Sequence, residues 1–242
     1  MENILIKTYT VPISACDNNG VFSIAGIFDL FMDMATEHAA FLNLGMDDLS
    51  QKDCFWVAAK SRVQFSKRPK MLEEVTVSTW PEKPGNIRYN RYYTIASGDD
   101  IIVKGKTEWT ILDKHTGRPK KSAEVYPSDL EHREEVVCEE PFARINTDFS
   151  DAEEILKYKV TSRDIDVAQH MNNVAYIRAV LSAFSCKELE NMSISELEIA
   201  YRAQCYEGES ISIRRRRVEN VLEIGVLKED GKTATTLRLT VE

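Results

Sequence analysis

The sequence predicts an α+β chain built from two copies of one unit, each an antiparallel sheet wrapped around a long helix. Three observations predict it: the chain matches itself at two fixed shifts, each copy carries one helical period after an Asp-containing loop, and each helix is followed by a run of strand-like segments. The chain has 242 residues, a length that by itself allows one large domain or two small ones.

The repeat comes first, because a missed repeat gives a wrong fold. A shift of 149 positions carries Tyr9 to Tyr158, Val11 to Val160, Asp17 to Asp166, Ser23 to Asn172, Ile27 to Tyr176 and Phe28 to Ile177, without a gap. A second shift, of 136, carries Val63 to Ile199, Phe65 to Tyr201, Glu73 to Glu209, Val75 to Ile211 and Val77 to Ile213. The first copy therefore holds a 13-residue insertion between the two matched blocks. The expected division is residues 1–118 for the N-terminal copy, 119–153 for a linker and 154–242 for the C-terminal copy.

The helix of the first copy follows Ser23, whose hydroxyl suits an N-cap. Ile24, Ile27, Phe28, Phe31, Met34 and Ala35 recur at three and four, the spacing of one apolar helix face. Asp29, Asp33 and Glu37 lie four apart on another face, which reads as solvated. In the second copy Asn172 or Asn173 caps Val174, Ile177, Leu181 and Phe184 at the same period.

Strands follow each helix. Ser61–Phe65, Glu74–Trp80, Arg88–Ala96 and Ile101–Leu112 are rich in Val, Ile, Thr and Tyr, with turns at Pro84-Gly85-Asn86 and Gly98-Asp99-Asp100. The second copy offers Ser195–Ala200, Glu209–Val218, Val221–Leu227 and Lys232–Val241, with a hairpin turn at Glu229-Asp230-Gly231. Pro119, Pro127, Pro141 and the acidic run from Glu131 to Glu140 mark the linker, with one short helix expected after Ser128.

Composition narrows the function. A net charge of −8, from 31 Lys and Arg against 39 Asp and Glu, argues against broad nucleic-acid binding, which needs a basic field. The five cysteines, Cys16, Cys54, Cys138, Cys186 and Cys205, are odd in number and never paired as Cys-x-x-Cys, so neither a disulfide framework nor a thiolate zinc site is expected. His38, His115, His132 and His170 form no metal-ligand pattern, and no metal or organic cofactor is expected. The segment Met1-Glu2-Asn3-Ile4-Leu5-Ile6-Lys7 has too short an apolar run for a signal-peptide core. The apolar stretch 21–44 is interrupted by acids, so no membrane span is expected, and the expected location is the cytoplasm.

The segment Asp164-Ile165-Asp166-Val167-Ala168-Gln169-His170-Met171-Asn172-Asn173-Val174 carries the chemistry. A helix start offers unpaired backbone N–H groups and a partial positive charge, which can stabilise an oxyanion near Asn172 and Asn173. Asp166 and His170 can then handle a water and its protons. Capping of the turn and helix by these same residues is the structural alternative. Asp17 matches Asp166, but Val21 matches His170, so only the second copy keeps both ionisable groups. The first copy is then expected to supply a pocket wall.

The run Asp164 to Ile177 resembles the signature of the acyl-acyl carrier protein thioesterases, which join two hot-dog domains in one chain. The resemblance extends to Cys16-Asp17-Asn18-Asn19-Gly20, Asp33-Met34-Ala35-Thr36-Glu37-His38-Ala39, Trp56-Val57, Trp109-Thr110-Ile111-Leu112-Asp113 and Thr116-Gly117-Arg118-Pro119. It implies a tandem double hot-dog fold and hydrolysis of a fatty acyl thioester on acyl carrier protein. The family's catalytic acid falls on Asp166 and its histidine on His170. Its Tyr-Arg-x-Glu-Cys motif falls on Tyr201-Arg202-Ala203-Gln204-Cys205. Two positions depart from the pattern: an asparagine becomes Ala168 and the glutamate becomes Gln204, which keeps hydrogen bonding but cannot act as a base.

Asp166 is therefore expected to position or activate water, with His170 assisting proton transfer. Gln204 and Cys205 complete the candidate catalytic set, Cys205 also reading as a small buried apolar group. Phe31, Met34, Phe55 and Trp56 are the substrate-wall candidates, each of which core packing also explains. The implied partner is acyl carrier protein, itself acidic, so docking needs local basic surface. Arg214 to Arg217, and Arg118, Lys120 and Lys121, are the available clusters; on a strand the four arginines alternate between faces. An acyl-coenzyme A thioesterase and a non-hydrolytic acyl-binding protein are the alternatives. Monomer and homodimer both remain compatible with two fused copies.

Overall fold

The computed structural model describes residues 3–241 and divides into two compact units, residues 1–140 and 141–242. In the first unit, strands β1 (Leu5–Thr10), β2 (Cys54–Phe65), β3 (Glu74–Pro81), β4 (Tyr89–Ser97) and β5 (Asp100–Asp113) lie in the order β1-β3-β4-β5-β2. In the second, β6 (Glu153–Lys159), β7 (Ile194–Tyr201), β8 (Ser210–Val218), β9 (Val221–Lys228) and β10 (Thr233–Val241) lie in the order β7-β10-β9-β8-β6. All these pairings are antiparallel. The segments expected as strands are present, and β2 begins seven residues earlier than expected, at Cys54 rather than Ser61. It does so because Cys54 through Ala58 extend the ladder against Trp109 to Asp113.

Helix α1 (Ile24–Phe41) starts where Ser23 accepts a hydrogen bond from the Gly26 N–H at 3.0 Å. Its buried face holds Ile24, Ile27, Phe28, Phe31, Met34 and Ala35, as the periodicity requires, and also His38. A short helix α2 (Met46–Ser50) follows. The one-turn helix of the connecting region, α3, spans Ser122–Val125 rather than following Ser128; Glu124 caps it by accepting from the Lys121 N–H.

In the second unit α4 covers Asn173–Leu181. The helical period continues to Phe184, but the helix stops sooner. Ser182 donates back to the Ala179 carbonyl at 2.7 Å, and Ser185 with Glu188 forms a capping box that opens a new helix, α5 (Cys186–Met192).

Residues of the expected linker belong to the two units and pack against their sheets. In the first unit Trp80 donates to the Glu135 carbonyl at 2.8 Å, and Val137 is buried with Trp80 and Tyr92. In the second, Phe149 is 1% exposed. Its ring occupies the space above Gly225, where a Cβ would lie 2.4 Å from it, so only glycine permits that approach. The Arg216 guanidinium lies over the ring at 4.5 Å and donates to the carbonyls of Asn146 and Asp148.

The backbone reproduces the repeat bond for bond. The N–H of Val11 meets the Glu73 carbonyl at 3.0 Å, and that of Val160 meets Glu209 at 2.9 Å. The N–H of Phe22 meets the Pro69 carbonyl at 2.8 Å, and that of Met171 meets Cys205 at 2.8 Å. Each pair is related by the shifts of 149 and 136.

Candidate active site

Asp166 sits in a tight turn closed by its N–H to the His170 carbonyl at 3.1 Å and by the Gln169 N–H to its own carbonyl at 3.0 Å. Gln169 takes the left-handed conformation, φ +62°, where the first copy has Gly20 at φ +68°. One carboxylate oxygen of Asp166 accepts from the Ala168 N–H at 2.9 Å, and the other accepts from the Asn172 side-chain amide at 3.4 Å. His170 is half-buried. Its Nδ1 lies 3.2 Å from the Met171 carbonyl. A carbonyl only accepts, so the proton belongs on Nδ1 and the lone pair on Nε2.

Asn172 is the N-cap of α4, accepting from the Val174 N–H at 2.8 Å. Its own N–H donates to the Asp164 carbonyl at 2.7 Å. That leaves the N–H of Asn173 without an acceptor among the described residues, at the positive end of the helix. The structure thus gathers Asp166, His170, Asn172 and Asn173 within one turn and one cap.

Cys205 is fully buried beside this turn, its carbonyl holding the Met171 N–H. Burial pushes its thiol pKa up, which disfavours the thiolate. Gln204 is exposed: its Oε1 accepts from the Tyr206 hydroxyl at 2.8 Å, and no hydrogen bond among the described residues joins it to Asp166 or His170. Met34 is 3% and Phe31 1% exposed, within the core. Trp56 packs edge-on to Tyr89 at 5.0 Å. Phe55, its neighbour on β2, is 36% exposed, because alternate strand residues point to opposite faces.

Two further residues shape the site, and a third marks how the first copy differs. Tyr176, on α4, accepts from the Cys205 N–H at 3.0 Å and so pins the 203–205 segment to the helix; burial raises its pKa. Asp164 is buried and accepts from the Tyr158 hydroxyl at 2.9 Å and the Thr161 N–H at 2.7 Å, a structural cap that the spacing Thr161-x-x-Asp164 signals. Arg68 belongs to the first copy. It donates to Asp17 at 2.6 Å, and the shift of 136 carries Arg68 to Gln204.

The basic clusters are largely occupied. Arg214 donates to the Ser150 carbonyl at 3.0 Å, Arg215 to Glu153 at 2.9 Å, Arg216 pairs with Glu223 at 2.7 Å, and Arg217 donates to the Glu219 carbonyl at 3.1 Å. Lys120 lies 3.3 Å from Asp113. No described helix is long and apolar enough to cross a membrane.

A family model for the acyl-ACP thioesterase N-terminal domain matches residues 2–128, and one for the acyl-ACP thioesterase C-terminal domain matches residues 147–239. The chain belongs to the acyl-ACP thioesterase family. It is 25% identical over 217 residues to a chloroplastic palmitoyl-acyl carrier protein thioesterase of Gossypium hirsutum, covering 84% of this chain and 51% of that one. The chain spans about half the length of the curated relatives it matches. Among solved structures, an acyl-ACP thioesterase from Bacteroides thetaiotaomicron superposes with a TM-score of 0.88 at 20% identity, covering 99% and 98% of the two chains. The 12:0-ACP thioesterase from Umbellularia californica gives 0.86 at 18% identity, covering 99% and 97%. These likenesses carry the hot-dog fold.

Proposed function

We propose that this acyl-ACP thioesterase family member hydrolyses a fatty acyl thioester on acyl carrier protein, releasing free fatty acid and the carrier thiol, in cytoplasmic fatty acid biosynthesis. The observation that carries the reading is the environment of Asp166. Its counterpart Asp17 is neutralised by Arg68, whereas Asp166 has no cationic partner among the described residues and lies one turn from His170. The C-terminal unit is then the catalytic copy, and the N-terminal unit binds the acyl chain.

In this mechanism Asp166 holds a water whose oxygen attacks the thioester carbonyl carbon. Nε2 of His170 takes the water's proton and delivers it to the leaving sulfur as the C–S bond breaks. The oxyanion forms against the Asn173 N–H. Cys205 has no nucleophilic role, because its thiol is buried and its pKa is raised.

The test is thiol release from acyl-carrier-protein thioesters over a ladder of chain lengths, by the parent protein and the Asp166→Asn, His170→Ala and Cys205→Ala variants. Loss with the first two and retention with the third is expected. If only Cys205→Ala abolished turnover, the water mechanism would be wrong. Ala168 and the outward Gln204 favour one rival, a non-hydrolytic acyl-binding protein, and absence of release at every chain length would establish it. Faster release from acyl-coenzyme A than from the carrier would favour the other.

A further inference from the structure

On the inner face of the first unit lies a cluster that the proposed hydrolysis does not use. Arg91, on β4, is only 8% exposed. Its Nη1 donates to Nδ1 of His38, on α1, at 2.9 Å, and reaches the Thr79 hydroxyl at 3.3 Å. No carboxylate among the described residues meets this charge. Burial, and then the Arg91 charge, hold the His38 pKa at about 4, so the imidazole is neutral at pH 7 and accepts the guanidinium N–H. Tyr93, fully buried, and Tyr126 lie near Arg91, and the Tyr126 ring stacks at 5.7 Å on that of Tyr89, two residues before Arg91 on β4. The hydroxyl oxygens of Tyr89 and Tyr126 are buried and have no hydrogen-bond partner among the described residues.

A guanidinium carries five N–H donors, and a buried charge without a counter-charge is strongly destabilising. Beyond the His38 nitrogen and the Thr79 hydroxyl, the cluster therefore has more donors than acceptors. It is peculiar to the first copy, since Arg91 pairs with Pro81 on β3 and the corresponding pair in the second copy is Leu222 with Arg217. It also adjoins two of the substrate-wall candidates. Phe31 stacks on Tyr93 at 4.6 Å, and Trp56 packs against Tyr89 at 5.0 Å and Trp109 at 6.2 Å.

We infer that Arg91, with His38, Tyr89 and Tyr126, is the polar end of an otherwise apolar ligand site in the first unit, and that it takes an oxygen, hydroxyl or carboxylate, carried on an acyl chain. The inference rests on the reading of this unit as the acyl-binding copy. It names the substrate class as acyl chains with an oxygen distant from the reacting carbonyl. The oxygen accepts from Arg91, supplying the acceptor that the protein withholds.

The test is a binding measurement, independent of turnover. N-Alkyl amides of fatty acids of one chain length, which carry no carboxylate at the acyl end and whose far chain end is unsubstituted, hydroxylated or carboxylated, are titrated into the intact protein by calorimetry. The oxygenated ligands are expected to bind at least about 10-fold more tightly. Arg91→Met should remove that advantage while leaving the unsubstituted amide bound as before. Tyr126→Phe, which deletes one oxygen atom and keeps the ring, should reduce the advantage and covers the case in which Arg91→Met does not fold. Equal binding of all three ligands by the parent, or an advantage that survives in both variants, overturns the inference. Thiol release from plain acyl thioesters with equal binding would leave the hydrolytic reading standing and defeat this one alone.

Discussion

Two loops of the same design, residues 17–23 and 166–172, end in opposite electrostatic states. Both close with an Asp N–H bonded across the turn, at 2.9 Å to Val21 and 3.1 Å to His170. Both offer one carboxylate oxygen to the N–H two residues on, at 2.9 Å in each case. Both lead into a capped helix. The second oxygen of Asp17 goes to Arg68, while that of Asp166 meets a neutral amide. A backbone scaffold can thus be kept while one distant residue, Arg68 or Gln204, decides whether its acid is spent in an ion pair.

The largest expected effect is on the acid itself. Asp166→Asn should lower thiol release about 10³-fold, as loss of the carboxylate that holds the attacking water in reach of His170 does. Asp17→Asn should leave release unchanged and cost about 1 kcal/mol of stability, since its ion pair is partly exposed. Rate assays and denaturant melts on the two variants check this, and equal effects on rate would erase the distinction between the loops.

Next in size is the buried imidazole of the first copy. Unfolded chain takes up a proton at His38 below about pH 6.5, whereas the folded protein does so only near pH 4. Stability should therefore fall as pH drops from about 6.5 to 4, by roughly 3 kcal/mol, and this contribution should level off below pH 4. Urea melts across that range should show a shallower slope in His38→Asn; an unchanged slope would place the proton elsewhere.

Gln204→Arg converts the second loop into the first. The new guanidinium should engage Asp166 as Arg68 engages Asp17 and depress release by about 100-fold, with the melting temperature held or raised. Full activity in this variant would show that an unpaired Asp166 is not what distinguishes the two copies.

The smallest effect concerns the caps. Ser23→Ala and Asn172→Ala should each cost about 1 kcal/mol, but only Asn172→Ala should also slow thiol release, because it also removes the amide at Asp166. Matched activity losses in the two would remove the cap from the site.

Much of this was legible in the chain. Ser23 and Asn172, with the apolar positions that follow, placed both helix starts, and the strand segments fell in the expected places. The acid and histidine could be read to the same turn because their spacing is local. What escaped was whatever depended on a second competing signal. Helix α4 ends at Leu181 although its apolar period runs on to Phe184, since Ser182 and the Ser185–Glu188 box offer the backbone better partners. Residues 119–153 carry the Pro and acidic content of a linker, yet Val137 and Phe149 bury themselves against the two sheets.

The sequence by itself determined two copies, the order of their elements and the loop that holds Asp166 and His170, because these follow from local periodicity, capping and a repeat that survives in residue spacing. Only the tertiary structure decided that Gln204 faces Tyr206, that Arg68 closes the first copy's acid, and that Arg91 stands buried without a counter-charge. Those outcomes depend on which side chains share a face across residues far apart in the chain, and sheet register, not sequence distance, sets that.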